Sequence, residues 1–233
     1  MEEYAIPNAV KWVVVTGASS GIGRAIASKL LVEGFGVIGI SRTPINEASP
    51  NYRSLLVDLS DLNALTQALG QLGRVDAIVH AAGFMHTASV GSLNPEDGAA
   101  MWAVHVQAAS VLVNELISKM PDGGRIVLIG SRTAAGAAGR SQYAATKAAL
   151  IGMSRSWAAE LASRQITVNV VAPGATETPM LTDPNRVSTP PKKPPMGRFI
   201  NPEEIAGSVA FLLGPYAGTI TGQQLVICGG ASL

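Results

Sequence analysis

Short, continuously apolar runs alternate with longer helical ones along this 233-residue chain, and no other feature narrows its possible folds as much. Residues 12–16, 36–41, 54–57, 77–80, 125–130, 167–171 and 225–228 read as strands. Helices are expected over 23–33, 61–72, 94–120, 141–164 and 202–213, the third opening on Asn94-Pro95-Glu96 with proline at the first helical position. A strand that is apolar along its whole length is covered on both faces, and strands that alternate with helices build a parallel sheet. The expectation is an α/β fold: one doubly wound domain over 1–233, with a parallel sheet of about seven strands and helices on both faces. A chain of this length can bury a full core.

The first turn carries chemistry. Gly17-Ala18-Ser19-Ser20-Gly21-Ile22-Gly23 follows the first strand and opens the first helix. Glycine is needed where the backbone turns sharply and comes close to a diphosphate, and a helix N-terminus favours that negative charge. The domain therefore reads as Rossmann-type. The spacing is Gly-x-x-x-Gly-x-Gly rather than Gly-x-Gly-x-x-Gly. After the second strand come Ser41 and Arg42, with no carboxylate before Glu47. An acid at that place would repel a 2′-phosphate, whereas an arginine can hydrogen-bond one. NADP is expected, with NAD second, and a solvated loop arginine is the alternative.

Tyr143 and Lys147 are four residues apart, on one face of a helix. A cation beside a phenol favours its charged form and brings it nearer to acid–base work at neutral pH. Ser131 ends an apolar run twelve residues earlier. Ser141, the competing serine, is offset by two and points away from Tyr143.

Together with Pro173-Gly174, these motifs resemble the short-chain dehydrogenase/reductase family over essentially the whole chain. The resemblance implies that Tyr143 exchanges a proton with a carbonyl or alcohol oxygen while hydride passes to or from the nicotinamide. Lys147 would hold the nicotinamide ribose and lower the tyrosine pKa, and Ser131 would hydrogen-bond the oxyanion. It also implies a cofactor site of Gly17, Ser19, Ser20, Gly21, Ile22, Gly23, Ser41, Arg42, Asp58, Leu59, Ala81, Ala82, Gly83, Tyr143, Lys147, Pro173, Gly174, Thr176 and Thr178. Asp58 would meet the adenine, unless it caps the helix that starts near Ser60. Ala81-Ala82-Gly83 matches the end of the family's Asn-Asn-Ala-Gly motif, with His80 and Ala81 in place of both asparagines. His105 falls where the family has an asparagine whose main-chain carbonyl holds a water leading to the lysine. It either joins that relay as a titrating group or is a satisfied buried histidine. Residues 176–200, with five prolines from Pro184 to Pro195, would cover the substrate. A homotetramer or homodimer is the family habit, and the small residues of the two long helices could pack across a two-fold axis.

The expected function is interconversion of a carbonyl and a secondary alcohol, on a small-molecule or carrier-bound substrate. Within the family the chain resembles β-ketoacyl-acyl-carrier-protein reductases and, as the alternative, dihydrodiol dehydrogenases. Lys192, Lys193 and Arg198 near the entrance could greet an acidic carrier or a carboxylate, or lie in a solvated loop. A nucleotide-binding sensor without turnover is the rival from another class. A methyltransferase would have no use for the Tyr-Lys pair.

Composition excludes other classes. A net charge of +1 gives no reason to expect nucleic acid or an acidic membrane as partner. The single cysteine, Cys228, rules out an intrachain disulfide and sits in an apolar run as a structural thiol. No metal-ligand cluster is spaced along the chain. The acidic start lacks a signal-peptide pattern, and no uninterrupted apolar stretch nears the ~18 residues of a membrane span. A cytoplasmic location is expected.

Overall fold

The structure is a computed structural model that describes residues 10–45, 47–182 and 191–233. Seven strands form one sheet in the order β3-β2-β1-β4-β5-β6-β7. They are β1 (Trp12–Thr16), β2 (Gly36–Ser41), β3 (Tyr52–Leu56), β4 (Ala77–His80), β5 (Arg125–Ile129), β6 (Thr167–Pro173) and β7 (Gln224–Ile227). Every pairing is parallel. β2, β4 and β6 are buried at every residue, β6 including Asn169, whose side chain is hydrogen-bonded to the Ile220 carbonyl and the Gln223 N–H, while the edge strands β3 and β7 are largely exposed.

Helices cover both faces. On one side α2 (Leu62–Gly70), α4 (Ala108–Leu116) and α5 (Ser141–Leu161) bury Leu65, Leu69, Leu112, Leu116 and Leu150 against the sheet. On the other, α1 (Gly21–Val32) and α6 (Pro202–Leu213) pack together and bury Ile26, Leu30, Ile205 and Val209. A helix α3 (Pro95–Trp102) begins at Asn94, whose side chain accepts from the Glu96 N–H at 3.0 Å. The stretch Pro95–Lys119 is long and apolar enough to cross a membrane by length and composition alone, with mean hydropathy 1.3, but Ala108, Ala109, Leu112, Val113 and Leu116 within it are buried in this core.

The long helix expected over 94–120 is not continuous. Ala103–Gln107 is a π turn in which the Ala108 N–H reaches back to the Ala103 carbonyl. A π turn inserts one residue into a helix and rotates the helical turns beyond it, and the buried His105 within it bonds to the loop after β4 and to α5. Smaller shifts occur at ends. The strand expected at 54–57 runs Tyr52–Leu56, because an edge strand lacks the apolar signal of a central one. Asp61 is the cap of α2 rather than its first residue, accepting from the Ala64 N–H at 2.9 Å.

The segment expected over the substrate is tied at its base. Thr176 and Ile200 form an isolated parallel bridge, the Glu177 N–H reaching the Ile200 carbonyl at 2.8 Å. Pro184 and Pro190 lie outside the described residues.

Candidate active site

The sheet reverses its direction of growth between β1 and β4, and ligands of such sheets sit beyond the carboxyl ends of the strands at that point. A cleft of about 860 Å³ opens there. The glycine turn makes one wall. Gly17 has φ 68°, and a Cβ on it would stand 2.8 Å from the Ala82 Cα. A Cβ on Gly23 would lie 2.7 Å from the Gly17 carbonyl carbon, so the first turn of α1 can close on the loop only without a side chain there. The Ser20 side chain makes no cap hydrogen bond to α1. A loop this tight, facing a helix N-terminus without a side-chain cap, fits a diphosphate. Gly17, Ser20, Gly21, Ile22 and Gly23 line this wall, and Pro173, Gly174, Thr176 and Thr178 line the side beyond β6.

Ser131, Tyr143 and Lys147, expected from three separate places in the sequence, all line the same cleft, with Ala81, Ala82 and Gly83. Ser131 follows β5, and its Oγ accepts from the Thr133 N–H at 3.1 Å. Tyr143 and Lys147 lie on α5. Lys147 is 4% exposed and donates from Nζ to the Ile129 carbonyl at 3.0 Å, with the Tyr143 ring centroid 5.8 Å away. Burial disfavours its charged form and pushes its pKa down to about 7. Ser141 is exposed and outside the cleft.

Beneath these groups the hydrogen bonds fix the proton on each of two buried histidines. His105 Nε2 accepts from the Phe84 N–H at 3.1 Å, so its proton is on Nδ1. Nδ1 then donates to Thr146 Oγ1 at 2.8 Å, and Thr146 donates to the Tyr143 carbonyl at 2.8 Å. With both ring nitrogens engaged, and with burial and the Lys147 charge holding its pKa far below the ordinary value, His105 stays neutral. Of the two alternatives for it, the geometry favours the satisfied buried histidine. His80 is the mirror case. Thr16 Oγ1 accepts from the Ala81 and Ala82 N–H groups at 3.0 and 3.1 Å, so its own proton goes to His80 Nδ1, 2.9 Å away. That leaves the His80 proton on Nε2, buried without a full hydrogen bond and facing the Val104 and His105 carbonyls of the π turn. Burial and the Lys147 charge push its pKa down to about 3.

Some expected residues stand apart from the cleft. Ser19, Ser41, Arg42, Asp58, Leu59 and His105 do not line it. Leu59 is buried in the core. The Ser41 hydroxyl donates to the Thr43 carbonyl at 2.6 Å, and Arg42 is exposed. Asp58 Oδ1 accepts from the Ser60 N–H and hydroxyl at 2.9 and 2.8 Å, which lowers its pKa. Asp58 is not the cap of α2, which is Asp61. Arg198 is held by Glu204 through two bonds of 2.6 and 2.8 Å, and of the three entrance cations only Lys192 lines the cleft. Sequence reasoning missed Arg132 and Arg140, which also line it. Their only signal was position, one residue after Ser131 and three before Tyr143. Among the described residues no group of three or more His, Cys, Asp or Glu could hold a metal ion.

A switch-point cleft with a glycine turn on one wall and a Tyr-Lys pair on another defines a nucleotide-dependent oxidoreductase. The family model described as enoyl-(acyl carrier protein) reductase matches residues 17–232. The 3-oxoacyl-(acyl-carrier-protein) reductase of Salmonella typhimurium is 38% identical, over 94% of this chain and 96% of that protein. Carbonyl reductase family member 4 of Xenopus laevis is 37% identical, over 96% and 98%. The solved structure of a short chain dehydrogenase from Burkholderia cenocepacia in complex with NADP superposes with a TM-score of 0.87 at 33% identity, over 96% of this chain and 98% of that one. The chain belongs to the short-chain dehydrogenase/reductase family, and with it to the NAD(P)-dependent oxidoreductases.

Proposed function

We propose that the protein is an NADPH-dependent reductase of a 3-oxoacyl-type carbonyl, with Ser131, Tyr143 and Lys147 as its working groups. The observation that carries this reading is their convergence in the cleft that the glycine turn also lines. The relatives named as 3-oxoacyl reductases support the substrate class, and the relatives solved with NADPH or NADP support the cofactor. The glycine turn and the α1 N-terminus would hold the diphosphate, Arg42 the 2′-phosphate, and Thr176 and Thr178 the nicotinamide side. Bound NADPH would supply the hydride.

The chain's own residues handle the oxygen. The Thr133 N–H occupies one side of Ser131 Oγ, so the serine O–H is free to donate to the carbonyl oxygen and hold it. Tyr143 gives its proton to the same oxygen. Lys147, with its pKa near 7, can return a proton to the tyrosine. His105 supports this arrangement without titrating, since it is neutral and hydrogen-bonded on both sides. The whole chain would act as one catalytic domain in a homotetramer or homodimer in the cytoplasm, with residues 176–200 as cover.

The test is calorimetric binding of NADPH against NADH, followed by NADPH consumption with a panel of 3-oxoacyl esters and thioesters. Tighter NADPH binding and turnover are expected. Tighter NADH binding, or no turnover of any ketone, would overturn the reading.

A further inference from the structure

Two of the chain's 3 histidines, His80 and His105, belong to the framework beneath the cleft. The third, His86, lines the cleft itself. Its side chain is half exposed, which puts it at the mouth. The ring meets Phe84 edge to face, with centroids 5.3 Å apart, and Nδ1 stands 3.8 Å from Asp97 Oδ1. That distance is too long for a direct hydrogen bond, but it fixes which nitrogen faces the acid. The two nitrogens of an imidazole diverge, so Nε2 points away from Asp97.

The histidine is held from three sides. Its own N–H donates to Met101 Sδ of α3 at 3.4 Å. Two residues on, the Ala88 N–H donates to the Gly139 carbonyl at 3.0 Å, and Ala88 bridges to the backbone of Arg140, directly before α5. Asp97 lies in the first turn of α3, and Gln142 of α5 ties the start of α3 down by donating to the Asn94 carbonyl at 2.8 Å. The loop after β4, α3 and the start of α5 are thus braced together, and Tyr143 follows Gln142. A row of rings, His86, Phe84, His105 and Tyr143, runs from the mouth to the reacting group, with successive centroids 5.3, 5.8 and 5.7 Å apart. A solvated histidine needs no such framework.

The cleft is also short of acceptors. Among the described residues that line it none is Asp or Glu, and His86 follows the apolar Phe84 and Met85. A neutral imidazole whose Nδ1 proton is drawn toward a carboxylate offers Nε2 as an acceptor. We infer that His86 Nε2 accepts a hydrogen bond from an N–H or O–H of the substrate, several bonds from the reacting carbonyl, and that Asp97 is the positioning residue that sets the tautomer. This rests on the carbonyl-reductase reading and names a substrate feature that reading leaves open: a polar donor on the arm that leaves through the mouth. The donor has two possible sources, an amide or an alcohol.

Two pairs of 3-oxobutanoyl thioesters separate these, with NADPH and the full chain at pH 8, where an ordinary imidazole is neutral. One pair is the N-acetylcysteamine thioester and its N-methyl amide. The other is the hydroxyethyl thioester and its methyl ether. Within each pair a methyl group replaces the donated hydrogen. In at least one pair the donor-bearing probe should win by about three- to tenfold in kcat/KM, mostly through KM, as one neutral hydrogen bond implies. The pair that shows the preference identifies the donor as amide or alcohol. His86→Leu should abolish the preference, and His86→Gln, whose amide oxygen can accept, should keep part of it. Asp97→Asn should shrink the preference while kcat for the methylated probe stays the same. Equal probes in both pairs, or a preference that survives His86→Leu, would overturn the inference. If no probe turns over, the carbonyl-reductase reading has failed, and NMR decides the role of His86 separately. In NADPH-loaded protein with isotope-labelled histidine, the His86 Nε2 resonance should move with a donor-bearing 3-hydroxybutanoyl thioester and not with its methylated twin. An unmoved resonance, or equal shifts from both, would sink the inference there too.

Discussion

Acid should destabilise the cofactor-free protein well before its carboxylates titrate. His80 and His105 are 1% and 0% exposed, and both have pKa values lowered from the ordinary 6.5. In the folded state they stay neutral to well below pH 5, whereas in the unfolded chain each binds a proton as pH falls through about 6.5. The unfolded state therefore binds more protons, and the stability present above pH 6.5 drains as pH falls. From pH 7 to pH 5 each histidine loses about 1.9 kcal/mol, and the pair about 4 kcal/mol. That is a large part of the ~5–15 kcal/mol that a folded domain holds in reserve. Lys147 contributes little in this window. Its lowered pKa of about 7 costs stability as pH falls from 10.5 to 7, and below that the cost is constant. Urea unfolding of the wild type, His80→Asn and His105→Asn at pH 7, 6 and 5 tests this. Each variant starts from a lower baseline but should lose about 2 kcal/mol of the pH dependence. A wild-type slope matched by the double variant, or an imidazole of either residue titrating near 6.5 by NMR, would refute the reasoning.

Three other outcomes are expected from the site. Tyr143→Phe should lower kcat by at least about 10²-fold while the NADPH Kd stays within about threefold; retained turnover would remove Tyr143 as the proton donor. Arg42→Asp should move the NADPH-to-NADH affinity ratio toward NADH by about tenfold or more, by loss of a charge-assisted bond and gain of repulsion, and an unchanged ratio in calorimetry would take Arg42 out of the phosphate site. Gly23→Ala should cost about 1–3 kcal/mol, because the new methyl meets the Gly17 carbonyl. Thermal melting and NADPH titration would show a lower Tm and a weaker Kd, and normal values for both would mean that the loop gives way.

The parts of the fold readable from sequence were those written in local signals. The burial of β1, β2 and β4 comes from largely apolar runs, and the turn between β1 and α1 from its glycines. The π turn was hidden, because nothing in Ala103-Val104-His105-Val106-Gln107 marks an inserted residue. It answers to partners on other elements, the Phe84 N–H and the Thr146 hydroxyl. Lys147 and Tyr143 were legible because a helix fixes their offset, and the direction of Arg132 and Arg140 was not, because a 3-10 turn and a helix cap set it. Arg198 looked like an entrance cation because its pairing with Glu204 spans a loop and a helix start.

The bond between Thr16 and His80 has a mechanical consequence. β1 begins the half of the sheet that grows toward β3, and β4 begins the half that grows toward β7. These two strands are the joint between the halves, and Thr16 stitches its far end by holding His80, Ala81 and Ala82 at once. The cleft straddles the same joint, with Gly17 on one side and Ala82 on the other. Under the proposed function, a nucleotide spanning Gly17 and Ala82 would brace the same joint that Thr16 stitches, so loosening that stitch would weaken cofactor binding as well as the joint.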